Sequence, residues 1–131
     1  MPLPDRPASA RLSRHFRWGE FWESPERPPP ADTWPAYIRL VTTLLQPLRN
    51  AHGPVIVTSG FRSVQRNAAV GGAPQSRHVP TSEPGVVAAD IYSPTAAPHE
   101  LARTLEQLGA GGLGVYRAHV HVDTRRQRAR W

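Results

Sequence analysis

Fifteen of the 131 residues are proline, and they crowd at 2–7, 25–35 and 74–98. Each proline fixes its own φ, lacks an amide donor and biases the residue before it away from the helical region. Long stretches of irregular chain follow, and regular structure is left to short segments between the clusters. Length sets the other bound: the chain suffices for one domain with a real core and is too short for two.

Residues 1–11 are expected to form a flexible extension, and "LSRHFRWGEF" (12–21) one or two helical turns with Phe16 and Phe21 docked on the body. "ESPERPPPADTWP" (23–35) reads as a connector. A helix should start near Pro35, capped by Asp32 or Thr33. Ile38, Val41, Leu44, Leu45 and Leu48 share one stripe of it, and Pro47 predicts a kink or early stop. After the "HGP" break (52–54), "VIVTS" (55–59) reads as a buried strand. "GFR" is a turn, and Ser63 caps a short helix to about Val70. A long loop (75–85) leads to a second strand (86–92). A helix over 98–108 should face Leu101, Leu105 and Leu108 inward and end at "GAGG" (109–112). "LGVY" (113–116) and "HVHVD" (119–123) then read as two strands joined by a tight turn at Arg117–Ala118. Strands and helices mix without regular βαβ alternation, which predicts an α+β fold: a small antiparallel sheet with packed helices.

Cysteine is absent, so disulfides and thiolate metal sites are excluded, and any metal must be held by His, Asp or Glu. No apolar run approaches the roughly 20 residues of a membrane helix. The N-terminus lacks the apolar middle of a secretory signal, which predicts synthesis in the cytoplasm. Net charge is +6, every basic residue is Arg, and part of that charge sits in "RRQRAR" (125–130). Such a tail either solubilises the chain or favours an anionic polymer. Nucleic acid is not the expected partner, because the aromatics are not interleaved with the arginines as in a base-stacking surface.

In an extended chain, His119, His121 and Asp123 share one face. His78 lies in a polar loop. Asp90 ends the apolar run "VVAAD", where a charge is costly unless paired or metal-bound. Two histidines and a carboxylate make a common catalytic zinc set, with a fourth position left for water. Other readings stay open on spacing alone. His78 can be a solvated loop residue, Asp90 a cap or a partner for one of the arginines, and "HVHVD" the polar face of a half-exposed strand. His15, His52 and His99 have weaker contexts and receive no role.

The motifs "SRH" (76–78), "GVVAAD" (85–90) and "HVHVD" (119–123), taken in order, resemble those of the zinc D-alanyl-D-alanine peptidase family. They are closest to its short branch of phage and bacterial peptidoglycan peptidases. The flanks "VTSGFRS" (57–63), "RNAAVGGAPQSRH" (66–78) and "GGLGVYRAHVHVDTR" (111–125) resemble it too, and the likeness runs from about Leu12. Two departures stand out. Eleven residues separate His78 from Asp90, more than the family's spacing. The excess falls at 79–85, expected as a mobile loop over the cleft. His119 occupies a position where relatives vary.

The resemblance implies one Zn2+ per chain held by His78, Asp90 and His121. It implies His119 as general base and Arg62 as the group that supports the oxyanion or anchors substrate. Ser76 would contact substrate or order its loop, and Asp123 would fix a neighbouring imidazole or Arg. The substrate would be a stem or cross-link peptide of peptidoglycan, cut by a monomer acting at the cell wall, by an export route such as phage lysis. The alternatives are a non-catalytic zinc module, since the hedgehog signalling domain shares the fold and site, a phage structural or assembly protein, and an Arg-rich nucleic-acid binder.

Overall fold

A computed structural model describes residues 7–131. Residues 1–6 of the expected extension lie outside the described residues. The rest of it is not loose: Ala10 and Ala8 carbonyls accept from the Trp18 and Gly19 amides at 2.7 and 2.8 Å.

Residues 12–21 hold one of the expected helical turns, at their end, and a hairpin takes the rest. Strands β1 (Arg11–Ser13) and β2 (Phe16–Arg17) form a hairpin, and a single 3-10 turn follows over Trp18–Phe21. The Gln46 side chain holds the hairpin, accepting from Ser13 Oγ at 2.5 Å and from the His15 amide at 3.0 Å. Phe16 and Phe21 are docked in the core as expected.

Helix α1 (Trp34–Leu40) opens without a side-chain cap; the Thr33 hydroxyl donates back to the Pro30 carbonyl instead. Pro47 does not stop the helix. A π-turn over Val41–Leu45 precedes α2 (Gln46–His52), with the Gln46 amide reaching back to the Val41 carbonyl. In a regular helix the Pro47 ring would press on the carbonyl four residues earlier, and the wider turn relieves that contact. The stripe holds at Val41, Leu44, Leu45 and Leu48, while Ile38 is half-buried.

Strand β3 (Ile56–Ser59) pairs antiparallel with β4 (Ala88–Tyr92), and β4 with β6 (Val120–Asp123). Strand β5 (Gly112–Val115) flanks β6, and β7 (Ala129–Arg130) adds to β5 in parallel, giving the order β3-β4-β6-β5-β7. Segment 55–59 is therefore not a buried strand. It is an edge, and Ile56 is 38% exposed. The hairpin of β5 and β6 closes at residues 116–119, where the Tyr116 amide donates to the His119 carbonyl at 2.9 Å.

Helix α3 (Val64–Ala69) is capped by Ser63, whose hydroxyl accepts from the Arg66 amide. Helix α4 (Pro98–Gln107) buries Leu101 and Leu105, but Leu108 lies just past its end and is 37% exposed. Gly109, at φ +83°, turns the chain there. Packed against the sheet, the helices enclose a core that includes Tyr37, Leu40, Leu48, Ile91, Leu101, Leu105 and Val120. No described helix is long and apolar enough to cross a membrane.

The basic tail is built into the fold. Arg125 pairs with Asp123, and Arg128 and Arg130 both pair with Glu106, which fastens β7 beside β5. Hydrogen bonds from Arg130 and Arg128 hold the Glu106 carboxyl down to about 2.

The insertion packs on the body beside a neighbouring groove and does not line the metal cleft. Val79 is buried, Glu83 pairs with Arg77 at 2.9 Å, and the Gly85 carbonyl accepts from Arg39 at 2.7 Å. Pro80, Thr81, Pro84 and Gly85 wall a groove against Ala36 and Phe61. The loop follows its apolar residues: Val79 and Val86 bury themselves and draw the intervening turn onto the body.

Candidate metal centre

Strand register builds half of the site. Asp90 stands directly opposite His121 on the paired strands β4 and β6, so their side chains share one face. His78 comes from the loop. Its carbonyl accepts from the Arg62 amide at 2.9 Å, and its amide donates to the Ser76 hydroxyl at 3.2 Å. Ser76 thus orders the turn that carries His78.

One ligand-capable atom from each of His78, Asp90 and His121 lies within 4.8 Å of the others. His78 Nε2 is 3.1 Å from Asp90 Oδ1, and His121 Nδ1 is 3.3 Å from the same oxygen. Each outer ring nitrogen has its own partner. His78 Nδ1 meets the Gly60 carbonyl at 2.8 Å, and His121 Nε2 meets Asp123 Oδ2 at 2.8 Å. Protons on those outer nitrogens leave a lone pair on each inner one, which is the tautomer a metal requires. The donor set of two imidazoles and a carboxylate fits zinc.

Asp123 is fully buried. Its Oδ1 accepts from the Gly112 and Arg125 amides at 2.9 and 3.0 Å, and its Oδ2 from Arg125 Nη2 at 2.7 Å. It fixes both an imidazole and an arginine. "HVHVD" is therefore not a half-exposed strand with a polar face: Val120 and Val122 are buried on one side, His121 and Asp123 on the other.

Burial opposes charge on Asp90 and on Asp123, but their hydrogen-bond partners outweigh it. The two imidazoles hold Asp90 well below the usual carboxylate range, and His121 with Arg125 does the same for Asp123. Burial also opposes charge on His121, and the carboxylates Asp123 and Asp90 outweigh it and raise its pKa.

The group opens on a cleft of about 560 Å³ lined also by Arg62, Ser76, Tyr116, His119, Arg125 and Trp131. His119 precedes β6, its ring stacked on Tyr116 at 4.4 Å. Arg62 spans three anchors at long range: Asp90 Oδ2 at 3.4 Å, Asn67 Oδ1 at 3.3 Å and Ser59 Oγ at 3.3 Å. Its five donors exceed those contacts, so some remain for a ligand. All seven residues singled out in the sequence converge: six line the cleft and Asp123 backs it. His15 and His52 serve the fold, bonding Gln46 and Thr104.

Several contributors carry no sequence signal of their own. Asn67 is buried beneath Arg62, and the Gly60 carbonyl is a backbone group. Gly112, read as part of the helix-ending "GAGG", and Gly114, inside the expected strand 113–116, face Asp123 and His121 across the β5–β6 pair. A Cβ on Gly112 would lie 2.2 Å from Asp123 Oδ2, and one on Gly114 would lie 2.4 Å from Trp131 Nε1. The alternation of glycines opposite "HVD" was the available clue.

No curated protein is significantly similar in sequence to the chain. The family model for Peptidase M15 matches residues 14–123, a span that carries His78, Asp90 and His121 with their supporting residues through Asp123. With that match over most of its length and a donor set that fits the metal, the chain belongs to the Peptidase M15 family of zinc D-Ala-D-Ala peptidases.

Proposed function

We propose that the chain hydrolyses peptide bonds in the stem or cross-link peptides of peptidoglycan, with His78, Asp90 and His121 holding one zinc ion. The observation that carries this reading is the convergence of three ligand atoms whose outer nitrogens are already engaged, in a cleft that also presents Arg62 and His119. Zinc, when bound there, supplies Lewis acidity that polarises the scissile carbonyl and makes water a stronger acid.

The remaining work falls to side chains. His119 takes a proton from the attacking water and passes it to the leaving amine. Arg62, held by Asp90, Asn67 and Ser59, offers its spare donors to the carbonyl oxygen as negative charge develops there. Asp123 keeps the His121 ring in the ligating tautomer. Ser76 keeps His78 in place. Family membership supports a metallopeptidase; the wall substrate and the action at the cell wall are the proposal's own.

The test is release of new amino termini from purified peptidoglycan, with product masses to identify the bond. The parent should release peptides, while zinc-matched His119→Ala and Arg62→Ala should each lose roughly a hundredfold in turnover. A zinc-loaded parent that releases nothing from any wall chemotype contradicts the proposal and favours a non-catalytic zinc module.

A further inference from the structure

We infer that Tyr116 and Trp131 are positioning residues that hold the His119 ring at the metal cleft; this rests on the reading of that cleft as the active site. His119 sits on the hairpin turn, before the strand that fixes His121. A side chain on such a turn would sample several rotamers unless its neighbours fixed it, and His119 is half-buried. Its ring lies parallel to that of Tyr116, with centroids 4.4 Å apart and planes 6° from each other.

Tyr116 is itself 44% exposed on the same turn and Trp131 is 48% exposed, so neither is held by burial and each depends on its bonded partners. The Tyr116 hydroxyl accepts from Trp131 Nε1 at 2.7 Å. Trp131 in turn is tied by backbone bonds on both sides, from its amide to the Leu113 carbonyl at 3.1 Å and from the Val115 amide to its own carbonyl at 2.8 Å. The indole lies on Gly114, where any Cβ would collide with it. The Arg125 guanidinium stands 5.1 Å from the indole, and the His121 ring is 5.0 Å away. A tail that reads as solvated arginine therefore delivers an indole to the cleft, and the indole steadies the tyrosine on which His119 rests.

The consequence is kinetic. A base displaced by about an ångström can cost up to a hundredfold in rate. Tyr116→Ala removes the stack from an exposed turn without opening the core, so fold and zinc content should survive. It should lose about tenfold in kcat with KM within twofold. Tyr116→Phe keeps the ring but lacks the hydroxyl that accepts from Trp131 Nε1, so it should restore only part of the loss, to about the level of Trp131→Phe.

Two readouts on the zinc-loaded full chain decide the matter. Proton NMR should place the His119 ring resonances upfield in the parent, through the ring current of Tyr116. Tyr116→Ala should return them toward free imidazole, and Trp131→Phe, which lacks the indole donor, should move them part of the way. Steady-state kinetics on soluble wall peptides supplies the second. His119 resonances unmoved in Tyr116→Ala would overturn the inference. So would unchanged kcat in that variant, or a raised KM at constant kcat, since the latter makes Tyr116 a substrate contact. If the parent is inactive, the kinetic arm refutes the function proposed above, and the ring-current arm alone decides the positioning.

Discussion

Asp123→Asn exchanges one oxygen for an amino group at a fully buried site. With its oxygen in the Oδ1 position, the new amide keeps the bonds from the Gly112 and Arg125 backbone. Its NH2 then faces two donors, His121 Nε2 and Arg125 Nη2. The imidazole can accept that NH2 only by moving its own proton to Nδ1, the nitrogen turned toward Asp90. A protonated Nδ1 has no lone pair for a metal. The opposite orientation of the amide sets NH2 against two backbone amides and is no better. Zinc affinity should therefore fall about 10–100-fold, the scale for losing a partner that fixes a ligating imidazole, equivalent to about 1.4–2.7 kcal/mol. Fold stability should fall by about 1–3 kcal/mol, since the Arg125 side chain keeps some access to water and can rehydrate. Competition with a chromophoric chelator gives the first quantity, and urea unfolding of metal-free protein the second. A zinc affinity within twofold of the parent would refute the claim that Asp123 selects the tautomer.

Gly112→Ala should lower both stability, by about 1–3 kcal/mol, and zinc affinity, because the new Cβ falls within 2.5 Å of the Asp123 carboxylate; thermal melting at parental values would contradict this. Glu106 titrates at about 2 in the folded chain against an ordinary 4.5, so its ion pairs stabilise the fold fully above pH 4.5 and lose that contribution as pH falls toward 2. The gap in unfolding midpoint between parent and Glu106→Gln should close over that window, and a gap independent of pH would show that Glu106 does not tie β7 through its charge.

His78, Asp90 and His121 are legible through the ordered motifs "SRH", "GVVAAD" and "HVHVD", which resemble the peptidase family; the absence of cysteine limits a metal to His, Asp or Glu but leaves other readings of these three residues open. Ser63 as a cap and Gly109 as a helix end are legible for a different reason: each acts through its own side chain or backbone freedom. What sequence hides is whatever depends on a distant neighbour. Pro47 reads as a kink or an early stop, and only the fold shows the π-turn that absorbs it. The tail arginines look solvated until Glu106, on another element, is placed beside them. Residues 79–85 look like a free loop until Val79 is seen to be buried. Trp131 and Gly114 acquire meaning only once β7 lies beside β5.

Elemental analysis of purified chain, after dialysis against buffer free of added metal, addresses the centre itself. One zinc per chain is expected in the parent and in His119→Ala, and none in His121→Ala, which removes the Nδ1 ligand opposite Asp90. Full zinc retention in the His121 variant would contradict the site assigned to His78, Asp90 and His121.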